Sequence, residues 1–139
     1  MSNKFFITEE TILKTEKGGV RHIIKKTSNG YDCFGEAYLS SIKAKSIKGW
    51  KKHNKMTLNL MVLTGQIRFV IFEKEQSLFH EFLIDSSENK RLTIKPGLWV
   101  AFEAIKSDAL LINIANMTHD PEEQEIKNLN ELNFNWSKI

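Results

Sequence analysis

At 139 residues, with 41% hydrophobic and 27% charged side chains, the chain has the composition of one compact folded unit, and a wholly disordered polymer is excluded. Its formal charge of +3 comes from basic residues mostly scattered among acidic ones, which disfavours a nucleic-acid-binding surface; the single cysteine, Cys33, excludes a disulfide-stapled secreted scaffold and points to the cytoplasm. Acidic residues stand where the apolar core of a signal peptide would lie, and no run approaches the ~18 apolar residues of a membrane span, so no membrane insertion is expected.

In chain order, residues 1–19 read as an arm or short edge strand closing on the turn Lys17-Gly18-Gly19. Residues 20–27 read as a strand and are followed by the turn Ser28-Asn29-Gly30. Over residues 35–42, Glu36, Tyr38 and Ser40 alternate with Ala37, Leu39 and Ser41, another strand. Lys43, Lys45, Lys48, Lys51, Lys52 and Lys55 cluster next, interleaved with Trp50 and His53. Residues 57–63 and 66–73, joined through Thr64-Gly65, predict a β-hairpin: Asn59, Met61 and Leu63 share one face and Leu58, Leu60 and Val62 the other. Both faces are largely apolar, so cover on both sides is expected. A buried Asn59 would then need hydrogen-bond partners or a ligand.

Residues 77–84 and 91–94 follow as strands, the second ending at the turn Lys95-Pro96-Gly97. Residues 98–104 and 109–116 complete the set, joined through Lys106-Ser107-Asp108. Residues 120–139 form an acidic, amide-rich tail whose anchors, Ile126, Leu129, Leu132, Phe134 and Trp136, predict packing on the outside. Short strands spaced by turns, with hardly a helical period, indicate a single all-β domain over residues 1–139, an antiparallel barrel or sandwich.

GEAYLSSI, IKGWKKHNK, the turn at Leu63-Thr64-Gly65, IKPGLWVAF, DALLINIANMTHDPEEQE and the terminal NFNW together resemble the two half-motifs of the cupin jelly-roll barrel. Within cupins the chain resembles the dTDP-4-dehydrorhamnose 3,5-epimerase-like group of sugar-nucleotide enzymes. The resemblance implies an epimerase or isomerase acting on a nucleotide-linked keto-deoxysugar in surface polysaccharide synthesis, in which a histidine removes a proton beside a keto group and a tyrosine returns one. Here the base position falls on Lys51, the tyrosine position on Asn113, and Val100 stands where a histidine often follows the Pro-Gly turn. Asn113 has no proton to give as an acid. The departures leave two expectations: a catalyst working through Lys51 or His53, or a barrel that binds a sugar or nucleotide sugar without turning it over. Metal-binding cupins use more imidazoles than the one left here, His53, so neither metal nor another cofactor is expected. Related proteins are dimers, and a homodimer is expected.

The candidate ligand contacts each carry a plainer alternative. Lys48 and its neighbours form a mouth suited to a diphosphate, or a solvated loop. Asn59 and Asn113 can offer amides to sugar hydroxyls from inside the barrel, or bond each other and the backbone. Arg68 can hold a phosphate, or pair with Glu73 or Glu81. Trp50 can lie beneath a sugar ring, or pack in the core. Glu36 and Tyr38 resemble the segment that touches the nucleotide base, and can equally support a subunit contact.

Overall fold

The computed structural model describes residues 4–137; the ends of the expected arm and tail, residues 1–3 and 138–139, lie outside the described residues. Among the described residues twelve strands form: β1 (Phe5–Glu9), β2 (Ile12–Thr15), β3 (Gly18–Arg21), β4 (Glu36–Ile42), β5 (Ile47–His53), β6 (Leu58–Thr64), β7 (Gln66–Glu73), β8 (Leu78–Asp85), β9 (Lys90–Ile94), β10 (Trp99–Ala104), β11 (Ala109–Ala115) and β12 (Gln124–Ile126). Apart from the small β2-β3 ribbon they make two five-stranded antiparallel sheets. Sheet one has the order β1-β9-β6-β11-β4, and sheet two the order β12-β5-β10-β7-β8. This is the all-β, jelly-roll architecture that the cupin resemblance implied.

The alternation read from the sequence decides which side chains fill the space between the sheets. Leu58, Leu60 and Val62 of β6 point inward against Phe69 and Ile71 of β7 and Leu92 of β9, all buried in one cluster. The outer face of sheet two carries a second cluster built on Trp50, Val70, Trp99 and Ala101. Leu129, Leu132, Phe134 and Trp136 of the tail close over it. Burying each such large side chain contributes about 1.5–3 kcal/mol, so the tail stabilises a face that would otherwise be an exposed aromatic patch.

Two sequence expectations need correction. The segments read as a hairpin around Gly65 do not pair with each other: β6 lies in sheet one between β9 and β11, and β7 lies in sheet two between β10 and β8. Gly65, with φ at 81°, turns a corner between sheets. A Cβ there would lie 2.8 Å from the Asp108 carbonyl oxygen, so glycine is required both for φ and for space. Apolarity on both faces of both segments fits this crossing better than a hairpin with a wet side.

The strand expected over residues 20–27 stops at Arg21, and the chain then runs irregularly across the outer face of sheet one. Its backbone carbonyls are claimed there by side chains rather than by a neighbouring strand. The fully buried Arg91 donates from Nε to the Ile23 carbonyl (3.0 Å), from Nη1 to Asn59 Oδ1 (2.6 Å) and Thr93 Oγ1 (2.9 Å), and from Nη2 to Glu10 Oε2 (2.8 Å) and the Asn29 carbonyl (3.0 Å). Each guanidinium N–H finds an acceptor, which is the condition for burying an arginine.

Candidate active site

A cavity of about 390 Å³ opens between β4, β6 and β11 on one side and β5 and β10 on the other, with Ile126 of β12 at its border. That is within the range of small-molecule sites. Its apolar walls are Leu58, Leu60, Val100, Phe102 and Leu111, and its polar groups are Tyr38, Ser40, Lys48, Lys51, His53 and Asn113.

The cationic side is set by an irregularity in β5. Lys52 pairs with Trp99, Lys51 with Val100 and Lys48 with Phe102, so Gly49 and Trp50 together oppose Ala101. This extra residue is a β-bulge, and it changes which side chains share a face. In a regular strand residues three apart point to opposite faces. Here Lys48 and Lys51 sit opposite the inward-facing Phe102 and Val100, and both border the cavity. Lys48 Nζ reaches across the mouth to Ser40 Oγ at 3.1 Å.

The same bulge sends Trp50 outward. It borders the cavity, but its indole is buried in the second cluster, beside Phe79 and Trp136, and donates from Nε1 to the Leu129 carbonyl at 3.3 Å. A sugar platform from this ring is thereby corrected to core packing.

His53, at the end of β5, is buried and lines the cavity. Its Nδ1 meets Glu123 Oε1, and no partner for Nε2 exists among the described residues. The other carboxylate oxygen of Glu123 accepts three successive backbone N–H groups, from Asn54 (3.1 Å), Lys55 (3.0 Å) and Met56 (3.2 Å). Glu123 reaches this place because Asp120 caps a single helical turn begun by Pro121, its side chain accepting from the Glu122 N–H at 3.0 Å. The pairing of Gln124 with His53 then locks the tail to β5. Burial by itself would raise the Glu123 carboxyl, but the hydrogen bonds from His53 and from the Lys55 and Met56 amides outweigh it and hold the group below its ordinary value. Beside an ionised Glu123, the Nδ1 position of His53 carries the proton that this contact needs, so Nε2 is the ring nitrogen not engaged by Glu123.

Across the cavity, Asn113 of β11 has both ends of its amide engaged. Oδ1 accepts the backbone N–H of Asn59 at 3.0 Å, and Nδ2 donates to the Tyr38 hydroxyl at 2.9 Å. Because the Tyr38 oxygen accepts this bond, its own O–H is left to donate elsewhere. Asn113 therefore holds a phenol in place on β4, the strand beside its own.

Three further residues singled out from the sequence lie away from the cavity. Asn59 is on the outer face of sheet one, where Oδ1 accepts from Arg91 and Thr93 and Nδ2 donates to the Gly30 carbonyl at 3.1 Å. The reason is the pleat: its neighbours Leu58 and Leu60 take the inner face. Arg68 is on the outer face of sheet two, 2.6 Å from Glu103 and 2.5 Å from the Trp136 carbonyl, with its guanidinium against the Phe134 and Trp136 rings. It clamps the tail and does not line the cavity; of the two expected partners Glu81 is 3.6 Å away and Glu73 pairs with His80, while Glu103, not among those expected, is nearer. Glu36 accepts the His119 N–H at 2.8 Å and is not among the cavity residues. Glu123 was not singled out from the sequence. The Asp-Pro turn marked its neighbourhood, but nothing local distinguished it from Glu122 or Glu125.

Among the described residues, no group of three or more His, Cys, Asp or Glu side chains is placed to hold a metal ion.

A family model described as FdtA, WxcM-like, C-terminal, matches residues 7–134. A search of curated proteins found no match. Among solved structures, a dTDP sugar isomerase from Desulfovibrio desulfuricans G20 is similar over 99% of this chain and 93% of its own, with 26% identity and a TM-score of 0.89. ChmJ, a 3'-monoepimerase from Streptomyces bikiniensis solved with dTDP-quinovose, is 14% identical with a TM-score of 0.85, covering 97% of this chain and 76% of its own. The sugar 3,4-ketoisomerase QdtA from Thermoanaerobacterium thermosaccharolyticum, solved with TDP, is 16% identical with a TM-score of 0.79, covering 95% and 93%. With its two-sheet jelly roll, a cavity on the half-motif strands and a family match over residues 7–134, the chain belongs to the FdtA family of WxcM-like C-terminal domains, cupin-type and sugar-nucleotide-epimerase-like.

Proposed function

We propose that the protein moves a proton at the carbon beside the ketone of a nucleotide-linked keto-deoxysugar, as an epimerase or isomerase in surface polysaccharide synthesis. The observation that carries this reading is the His53–Glu123 pair: the carboxylate holds Nδ1, and Nε2 has no partner among the described residues, in a ring lining a cavity whose opposite wall carries the Tyr38 hydroxyl. Nε2 of His53 takes the proton, and Glu123 stabilises the imidazolium that forms. Tyr38, fixed by Asn113, is the donor that returns a proton or meets the enolate oxygen. The resemblance placed the acid at position 113; in this proposal the phenol next to Asn113 does that work instead. Along the inner face of β5 the order Lys48, Lys51, His53 places Lys48 farthest from the base, where its ammonium suits a diphosphate. The relatives solved with dTDP-quinovose or TDP support a nucleotide-linked ligand.

Incubation with dTDP-linked 4-keto-6-deoxyhexoses in deuterated water tests the proposal. Deuterium at the exchanged carbon is expected, and an unchanged mass across a panel of such nucleotides contradicts it. A second reading, a pocket that binds without turnover, draws on Asn113 and Val100 standing where the resemblance implies a tyrosine and a histidine. Calorimetric binding with no exchange would favour it. We further propose that the protein is a cytoplasmic homodimer. Leu39, on the edge strand β4, and the nearby Phe34 are exposed apolar side chains of the kind a second subunit covers.

A further inference from the structure

Lys51 differs from the two other lysines of β5. Lys52 pairs with Glu125 at 3.0 Å, and Lys48 donates to Ser40 at 3.1 Å. Among the described residues the Lys51 amine has no hydrogen-bond or ion-pair partner. Its cross-strand neighbours are Val100 on one side and Ile126 on the other, both apolar. It stands two residues before His53 on the same cavity-facing side of β5. Glu123 is committed to His53, so the base role has an occupant, and Lys51 is a primary amine presented to the same cavity without a counter-ion. Where a substrate carries a ketone, such an amine has a chemistry that imidazole lacks.

We propose that Lys51 forms an imine with the ketone of the sugar, an inference that rests on the proton-transfer reading above. Neutral Nζ, having passed a proton to solvent, adds to the carbonyl carbon to give a carbinolamine. The carbinolamine hydroxyl takes a proton from the Tyr38 phenol and leaves as water, forming the C=N bond of a protonated imine. The cationic nitrogen withdraws electrons from the adjacent C–H, and His53 Nε2 removes that proton to give an enamine. The His53 imidazolium returns a proton to carbon and restores the iminium; water then hydrolyses it to the ketone and the neutral lysine amine, and the proton released in that step goes back to the Tyr38 phenolate. One water is released and one consumed, and no oxidant or reductant takes part. Lys51 is then a catalytic residue through covalent chemistry rather than through its charge.

The test adds cyanoborohydride to the protein with dTDP-linked 4-keto-6-deoxyglucose, followed by peptide mass mapping, with deuterium exchange measured in parallel. A reduced adduct on Lys51 and loss of exchange by at least about 100-fold in Lys51→Arg are expected. Arginine keeps the charge and cannot form the imine, and the exposed position tolerates it, so its failure is not a folding defect. Exchange by the wild type with no adduct, or exchange retained in Lys51→Arg, overturns the imine and leaves the proton-transfer reading standing. An adduct without exchange keeps the imine and removes that reading. Neither adduct nor exchange overturns both.

Discussion

Glu123 serves two elements at once: one carboxylate oxygen orients His53 and the other holds the backbone of residues 54–56. Because its carboxyl is held below its ordinary value of 4.5 in the folded protein, the stability it contributes is fully present above that pH and is lost as pH falls through the lower, folded value. Thermal midpoints measured from pH 7 downward are expected to place Glu123→Gln below the wild type at neutral pH, with the gap narrowing below pH 4.5. A gap that stays constant contradicts an ionised Glu123. At this scale the sequence was partly legible. Lys48, Lys51 and His53 stood out in the interleaving of lysine, tryptophan and histidine, whereas Tyr38, and Lys51 as a base position, were marked by the family resemblance. Asn59 and Asn113 looked alike because each interrupts an apolar run. Which one enters the cavity depends on which face of each strand turns inward, and that is settled by packing across the sheets.

The bulge in β5 is the element-scale device that assembles the cationic wall. Gly49 allows it, since a Cβ at that position would run into the Ala101 side chain and lie 2.8 Å from its Cα. Gly49→Ala is expected to cost about 1–3 kcal/mol in chemical denaturation and to weaken nucleotide-sugar binding by calorimetry, because Lys48 loses its place beside Lys51. Wild-type binding by this variant would remove the bulge from the site. Strand existence was legible from period-two alternation, but the bulge was not, because one extra residue leaves only a broken alternation that also reads as a loop. The partnership of β6 and β7 was misread for a related reason: a glycine turn between two apolar runs serves a hairpin and a corner between sheets alike. On the outer face of sheet one, Arg91 is the staple for the irregular segment after β3. Arg91→Met leaves the Glu10 carboxylate and Asn59 without their partner and is expected to cost about 3–5 kcal/mol. Hydrogen exchange is expected to show the loss first over residues 22–31; a uniform loss across both sheets would contradict the stapling role.

For the molecule as a whole, two sheets share one core, and each outer face is covered differently: sheet one by the segment after β3 and sheet two by the aromatic tail. The all-β class was readable, and of the five expected tail anchors Leu129, Leu132, Phe134 and Trp136 pack on sheet two, whereas Ile126 stays 68% exposed. Glu123 was not readable, since a carboxylate that crosses to a strand 70 residues earlier leaves no local pattern. Under the proposed homodimer a second subunit covers the exposed Phe34 and Leu39 beside the edge strand, so light scattering at micromolar concentration is expected to give twice the chain mass; the monomer mass contradicts it. Chemistry at the cavity is tested most directly by solvent deuterium exchange into dTDP-linked 4-keto-6-deoxyglucose with the wild type and with His53→Asn. Incorporation beside the ketone by the wild type is expected, together with a rate lower by about 10²–10⁴-fold in the variant; equal rates in the two proteins, or no incorporation by either, would contradict a proton transfer through His53.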